Sequence, residues 1–229
     1  KEPSIQPIIE RVKETERRFR TRAASNGWHE HNREGLAGRS PGMVKVIEQL
    51  GKIGQSPETT VLLTGETGVG KEVAARYLHR TSQPKGSPFI AVDCASLPGN
   101  LAESLLFGHE KGAFTGADQV RPGAFEEAGA GTVLLDEIGD MGDLQSKLLR
   151  VLENRTFSHV GSVKEIPLKA RVIAATNQDL GERVKTGTFR QDLYQRLCVF
   201  PIDIPPLRER GEDILLLANH FLDFFSGKL

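Results

Sequence analysis

The chain has 229 residues, 38% of them hydrophobic, which is enough for a core in one domain or one domain plus an appendage. Thirty basic and thirty acidic residues cancel, so the chain lacks the broad positive charge of a nucleic-acid binder, and no apolar run reaches the roughly 20 residues of a membrane helix. A soluble cytoplasmic protein with no membrane contact is expected, with Cys94 and Cys198, far apart in apolar stretches, as reduced core thiols.

In chain order, "IIERVKETERRFRTRA" (Ile8 to Ala23) predicts a charged helix with a thin apolar stripe, and "ASNGWHEHNREG" a polar linker. Residues 1–35 are therefore assigned to a linker, the end of an upstream regulatory domain. His29 and His31 lack the further ligands that a metal site needs. From Leu36 the pattern becomes regular. Five short apolar or β-branched runs, at 59–65, 87–94, 131–137, 169–177 and 199–204, alternate with amphipathic stretches such as 72–82 and 143–155. Continuous apolar strands separated by helices predict an α/β domain over residues 36–210, with a parallel five-stranded sheet flanked by helices. The stretch at 211–229, "GEDILLLANHFLDFFSGKL", predicts the start of a truncated further helical unit.

Three of these strand ends carry chemistry. "GETGVGKE" places Gly65, Gly70 and Lys71 in the spacing G-x-x-x-x-G-K between a strand ending at Thr64 and a helix beginning at Lys71. Such glycines let backbone N–H groups wrap a phosphate at a helix N-terminus, with the lysine as point charge. Glu72 stands where Ser or Thr would supply a hydroxyl to Mg²⁺, so the metal must depend on another carboxylate or water. "GTVLLDE" ends an apolar strand in Asp136, placed to hold a hydrated Mg²⁺, and Glu137, placed to polarise a water as general base. "AATN" ends a third strand in Thr176 and Asn177, small polar groups suited to sensing a γ-phosphate. "TFRQDLYQRL" then brings Arg190 and Arg196 into one short segment, either a solvated helix face or arginines given to a neighbouring subunit's nucleotide.

"KGAFTGA" (Lys111 to Ala117) is too rich in glycine for a helix interior and too apolar for an ordinary solvated turn. With "GETGVGKE", "SLLFGHEKGAFTGA", "GTVLLDEIGDM", "LLRVLENRTFSHVGS", "AATN", "FRQDLYQRL" and "PPLRER", the stretch from about Leu36 to the C-terminus resembles the central AAA+ ATPase domain of bacterial sigma-54-dependent transcriptional activators. The resemblance implies an AAA+ P-loop NTPase with its C-terminal helical lid largely missing, ATP and Mg²⁺ as cofactors, and a hexameric ring that is a dimer when inactive. It implies ATP-driven remodelling of the sigma-54 RNA polymerase holoenzyme to an open complex, and DNA binding through a helix-turn-helix beyond this chain.

By matching position, the phosphates fall to Gly65, Glu66, Thr67, Gly68, Val69, Gly70, Lys71 and Glu72, the metal and water roles to Asp136 and Glu137, and the sensor role to Thr176 and Asn177. Arg190 and Arg196 act in trans, and Gly112, Ala113, Phe114, Thr115, Gly116 and Ala117 form the loop that touches sigma-54. A second loop, roughly Phe157 to Leu168, matches the family's accompanying insertion. Asp93 stands where many relatives have an asparagine that restrains the catalytic glutamate, which would put two carboxylates together. Two other readings compete: a P-loop phosphotransferase with a small acceptor, and a regulatory module that holds nucleotide without turnover.

Overall fold

The computed structural model describes residues 36–96 and 99–226. The predicted linker at 1–35, with its charged helix, His29 and His31, lies outside them.

The described strands are β1 (Val61–Thr64), β2 (Phe89–Asp93), β3 (Thr132–Asp136), β4 (Thr156–Phe157), β5 (Ile166–Pro167), β6 (Arg171–Thr176) and β7 (Phe200–Asp203). Five make one parallel sheet in the order β2-β3-β6-β1-β7, as the alternation of runs predicts, while β4 and β5 pair as a short antiparallel ribbon. In register, Thr64 lies beside Thr176 and Asp203, and Asp93 beside Asp136. All five strands therefore finish at one edge, where ligands bind in open α/β sheets.

The helices are α1 (Pro41–Gly54), α2 (Lys71–Ser82), α3 (Gly99–Phe107), α4 (Ala124–Glu127), α5 (Gln145–Asn154), α6 (Leu180–Lys185), α7 (Gln191–Leu197) and α8 (Asp213–Ser226). α1 starts where it does because the Ser40 hydroxyl accepts the Met43 N–H and a proline occupies its first position. Its Met43, Val46, Leu50 and Ile53, spaced at helical intervals, are buried with α2 against Val61, Leu63, Leu134 and Ile173 on one face of the sheet. Side chains alternate along a strand, so Leu62, Val133, Leu135 and Val172 face the other way, into a second core with Phe107, Phe125, Leu148, Leu152 and Leu193.

The sheet's margins depart from continuous burial. Among the described residues β2 has no strand on its outer side, and its own residues are half-buried or exposed. β7 is the opposite edge, which is why it tolerates Pro201, a residue with no N–H to give a ladder.

Arg171 is a charged group in the interior, 1% exposed. It donates to the carbonyls of Ile53 and Ser56 and to Ser82 Oγ, tying β6 to the ends of α1 and α2. Burial alone pushes its pKa down to about 10. At the other end of the chain α8 opens on Asp213, fully buried, whose carboxylate accepts Arg39 N–H, Ser40 N–H and Ser40 Oγ–H. The first turn of α8 is thereby joined to the start of α1, while Ile214, Leu215, Phe221 and Leu222 are exposed.

Candidate functional site

The phosphate loop runs from β1 into α2 through three glycines of positive φ: Gly65 at 142°, Gly68 at 81° and Gly70 at 103°. At Gly65 a Cβ would meet the Ile204 carbonyl oxygen at 2.7 Å, so only glycine lets β1 leave the sheet this close to the end of β7. Gly70 is the left-handed residue from which α2 starts, and it leads into Lys71, 7% exposed. Lys71 Nζ donates to the carbonyls of Gly65 (3.0 Å) and Glu66 (3.3 Å) and lies 3.9 Å from Glu137 Oε1. The ammonium thus sits inside the loop, between its backbone and the carboxylate at the end of β3.

Asp136 is the last residue of β3, and its Oδ1 accepts the Glu137 N–H. Glu137 itself has φ 49° and ψ 47°, a left-handed conformation that costs a non-glycine residue of order 1 kcal/mol or more and recurs at functional sites. The turn aims its carboxylate across the sheet edge: Oε2 accepts the Asn177 N–H at 3.3 Å. Asn177 Nδ2 in turn donates to Thr67 Oγ1 at 2.9 Å. Lys71, Thr67, Glu137 and Asn177, drawn from three separate motifs, therefore form one connected cluster. Thr176 stands apart from it: fully buried, its hydroxyl accepts the Gln178 N–H and shapes the turn. Glu72 is exposed and paired with Arg76 at 2.7 Å, facing away from any metal role.

Asp93 lies beside Asp136 in the ladder, yet its Oδ1 caps its own turn by accepting the Ala95 N–H, and no hydrogen bond joins it to Glu137. Its neighbour Cys94 is buried, and burial first, then the surrounding carboxylates, push the thiol up to about 12. That thiol is inert core, as expected; Cys198 is half-buried. The two arginines are not at this cluster. Arg190, just before α7, forks onto both oxygens of Asp192 and reaches Ser146 Oγ. Arg196 donates twice to the Leu152 carbonyl in the last turn of α5.

"PPLRER" holds residues whose roles the sequence did not reveal. Arg208 makes a two-pronged bond to both oxygens of Glu66, each 2.7 Å, which holds that carboxyl below its ordinary range. Buried Arg210 donates to Pro205 O and, at 2.6 Å, to Val69 O. The bond to Val69 O ties the second half of the phosphate loop to the segment that follows β7. The motif was visible, but which loop it braces depends on a contact across about 140 residues.

The "GAFTGA" loop closes on itself: Gly112 N–H donates to Ala117 O (2.8 Å) and Ala117 N–H to Phe114 O (3.0 Å), with Gly112 and Gly116 at positive φ. Its foot is knitted by His109, paired with Arg121 and beside Val160 of the β4–β5 ribbon, so the two expected insertions are in contact. Phe114 is half-buried, its ring edge-on to His109 at 5.0 Å, whereas Thr115 and Gly116 are exposed.

The profile of the sigma-54 interaction domain matches residues 36–203, most of the described chain. The chain belongs to the sigma-54 interaction domain family. It is an AAA+ P-loop domain of the kind found in bacterial sigma-54-dependent transcription activators. It is 54% identical to the regulatory protein AtoC of Escherichia coli (strain K12) over 190 residues, 82% of this chain and 41% of AtoC. Against the nitrogen fixation protein AnfA of Azotobacter vinelandii the identity is 49% over 220 residues, 95% of this chain and 40% of AnfA. The crystal structure of NtrX from Brucella abortus in complex with ATP superposes with a TM-score of 0.75 at 33% identity, over 96% of this chain and 49% of that one. The chain thus spans about two fifths of the length of AtoC and AnfA.

Proposed function

We propose that this domain hydrolyses ATP and uses the energy to remodel the sigma-54 RNA polymerase holoenzyme toward an open promoter complex, through the "GAFTGA" loop. The observation that carries the hydrolysis is the linked cluster of Lys71, Thr67, Glu137 and Asn177 beside a glycine loop braced by Arg208 and Arg210. The loop's backbone N–H groups and Lys71 bind the β- and γ-phosphates, Lys71 exchanging its carbonyl partners for phosphate oxygens. Glu137 takes the proton of the attacking water, held toward the site by its backbone turn and by Asn177.

The donor set fits a Mg²⁺ ion that leans on the nucleotide. Among the described residues there is no group of three or more acidic, histidine or cysteine ligands, and Glu72 is engaged with Arg76. Asp136 is the carboxylate left to hold the ion, with water and phosphate oxygens completing it, as this small cation prefers. When bound it neutralises developing charge on the phosphates.

Arg190 and Arg196 belong, in this reading, to a neighbouring subunit's nucleotide. Both lie away from their own phosphate loop: Arg190, just before α7, is paired with exposed Asp192, and Arg196, on α7, is turned to the Leu152 carbonyl of α5; at a subunit junction each exchanges that partner for phosphate oxygens. A ring, with hexamers as the active form, follows from that division of labour. DNA binding by a helix-turn-helix elsewhere in the longer protein, and a cytoplasmic location, complete the proposal; among the described residues no helix is long and apolar enough to cross a membrane.

Phosphate release measured against protein concentration tests the reading. A ring enzyme gains specific activity cooperatively as subunits assemble. Release that needs an added acceptor would indicate a phosphotransferase, and none at any concentration a passive nucleotide-binding module.

A further inference from the structure

The two insertions meet at one histidine. Val160, at the turn of the β4–β5 ribbon, donates its N–H to Gly108 O (2.9 Å) and accepts Glu110 N–H (3.0 Å), so the ribbon is laced onto the foot of the "GAFTGA" loop. The fit is close: a Cβ on Gly161 would lie 3.0 Å from Ala113 Cβ, and one on Gly108 2.8 Å from the His159 ring. His159 itself is 9% exposed. Its Nδ1 lies 3.0 Å from Glu110 Oε1, two residues before the loop, and its Nε2 lies 2.6 Å from Glu126 Oε2 on α4.

Ionised carboxylates only accept, so both bonds exist together only when both ring nitrogens carry hydrogen. The bridge therefore requires an imidazolium. A neutral ring turns a lone pair toward one carboxylate, and attraction there becomes repulsion. Burial disfavours the charged ring, but the bonds and charges of Glu126 and Glu110 outweigh it and raise its pKa. Among the described residues, the hydrogen bonds of the ring run to these two carboxylates: His109 gives its ring to Ser104 and Phe114, while Lys111 at the loop's foot, Arg121 and Glu127 on the adjoining segments, and Lys164 and Glu165 on its own ribbon, are exposed.

We propose that His159 is the positioning residue of the "GAFTGA" loop: as an imidazolium it pins the loop's foot, through Glu110, to Glu126 on the body of the domain, and loss of its proton releases the foot. This deepens the proposed function and rests on the loop being its working tip. The direction is fixed by the raised pKa. The pin is complete below the ordinary histidine value of about 6.5 and is lost as the pH rises through the higher folded value.

The test follows amide hydrogen exchange at 108–117 in the 229-residue chain between pH 5.5 and 9, corrected for intrinsic rates, alongside an NMR titration of the His159 ring. Exchange should be slow and flat at low pH and quicken at least about fivefold as the ring loses its proton. His159→Arg keeps a charge and donors for both carboxylates at every pH, so its loop should stay protected throughout. His159→Gln should exchange fast throughout. If a thermal melt shows that this variant is unfolded, the comparison of wild type with His159→Arg decides alone. Equal corrected rates at pH 6 and 8.5 in the wild type, or a His159→Arg curve that tracks the wild type, would overturn the pin. No sigma-54 is present in this experiment, so failure of the working-tip reading, seen as undiminished sigma-54 capture by a loop-tip variant, is read separately.

Discussion

Replacing Glu137 with glutamine removes a base and leaves its frame standing. The glutamine carbonyl oxygen can still accept the Asn177 N–H that now bonds Oε2 at 3.3 Å, and the left-handed backbone at φ 49° suits glutamine no worse than glutamate. What is lost is the proton acceptor and the charge 3.9 Å from Lys71 Nζ. A positioned general base contributes about 10²- to 10⁴-fold, or about 3–5 kcal/mol of barrier, so hydrolysis should fall by at least that lower factor. The Lys71 contact is long and the carboxylate 24% exposed, which screens the pair to about 1 kcal/mol. Releasing Lys71 to the phosphates should therefore leave ATP binding equal or up to about fivefold tighter. Calorimetry with ATP and a phosphate-release assay on the same preparation separate the two effects. Turnover at the wild-type rate would place the base elsewhere. Binding weakened tenfold or more would make Glu137 a support of the phosphate loop rather than a base.

Gly65→Ala should abolish ATP binding in calorimetry, since the added methyl meets a backbone oxygen at 2.7 Å at a φ of 142°; retained affinity would mean the loop can re-form elsewhere. Arg171→Ala strips charge-assisted bonds from the buried Ile53 carbonyl, the Ser56 carbonyl and the Ser82 hydroxyl, and should cost about 3–4 kcal/mol, or roughly 10 °C in Tm by calorimetric scanning. A shift under 2 °C would show that water replaces the guanidinium. Arg196→Ala and Glu137→Gln subunits, each nearly inactive alone, should regain ATPase activity on mixing, because some junctions then pair an intact arginine with an intact glutamate. No recovery at any ratio, with mixed assembly verified, counts against donation in trans.

The sheet was legible because its strands are nearly all apolar and three of them carry their chemistry at or just past the last residue. "TVLLTG", "TVLLDE" and "IAATN" state both the element and the edge at which the functional group emerges. The link from Glu137 to Asn177 and on to Thr67 was implicit in that edge. Less legible was anything decided by side-chain direction. Thr176 and Asn177 are adjacent, yet one hydroxyl is spent on a turn while the amide beside it reaches the phosphate loop. Asp93 pairs in register with Asp136, but its carboxylate accepts the Ala95 N–H two residues on and has no hydrogen bond to Glu137. Arg208 and His159 escaped notice for another reason. Each acts on a partner distant in sequence, and a single charged residue in a polar loop carries no periodicity to announce it.

The central claim, that ATP turnover and contact with sigma-54 are separate tasks joined through one loop, is tested most directly at Thr115. Its side chain is exposed at the loop tip, and the Gly112–Ala117 and Ala117–Phe114 bonds that close the loop are made by backbone alone. Thr115→Ala should leave ATPase activity within a few-fold of wild type. Capture of sigma-54 in the presence of a transition-state nucleotide analogue, measured on the same preparation by gel shift, should be lost. Capture at the wild-type level by the alanine variant would contradict the assignment of this loop as the tip that does the work.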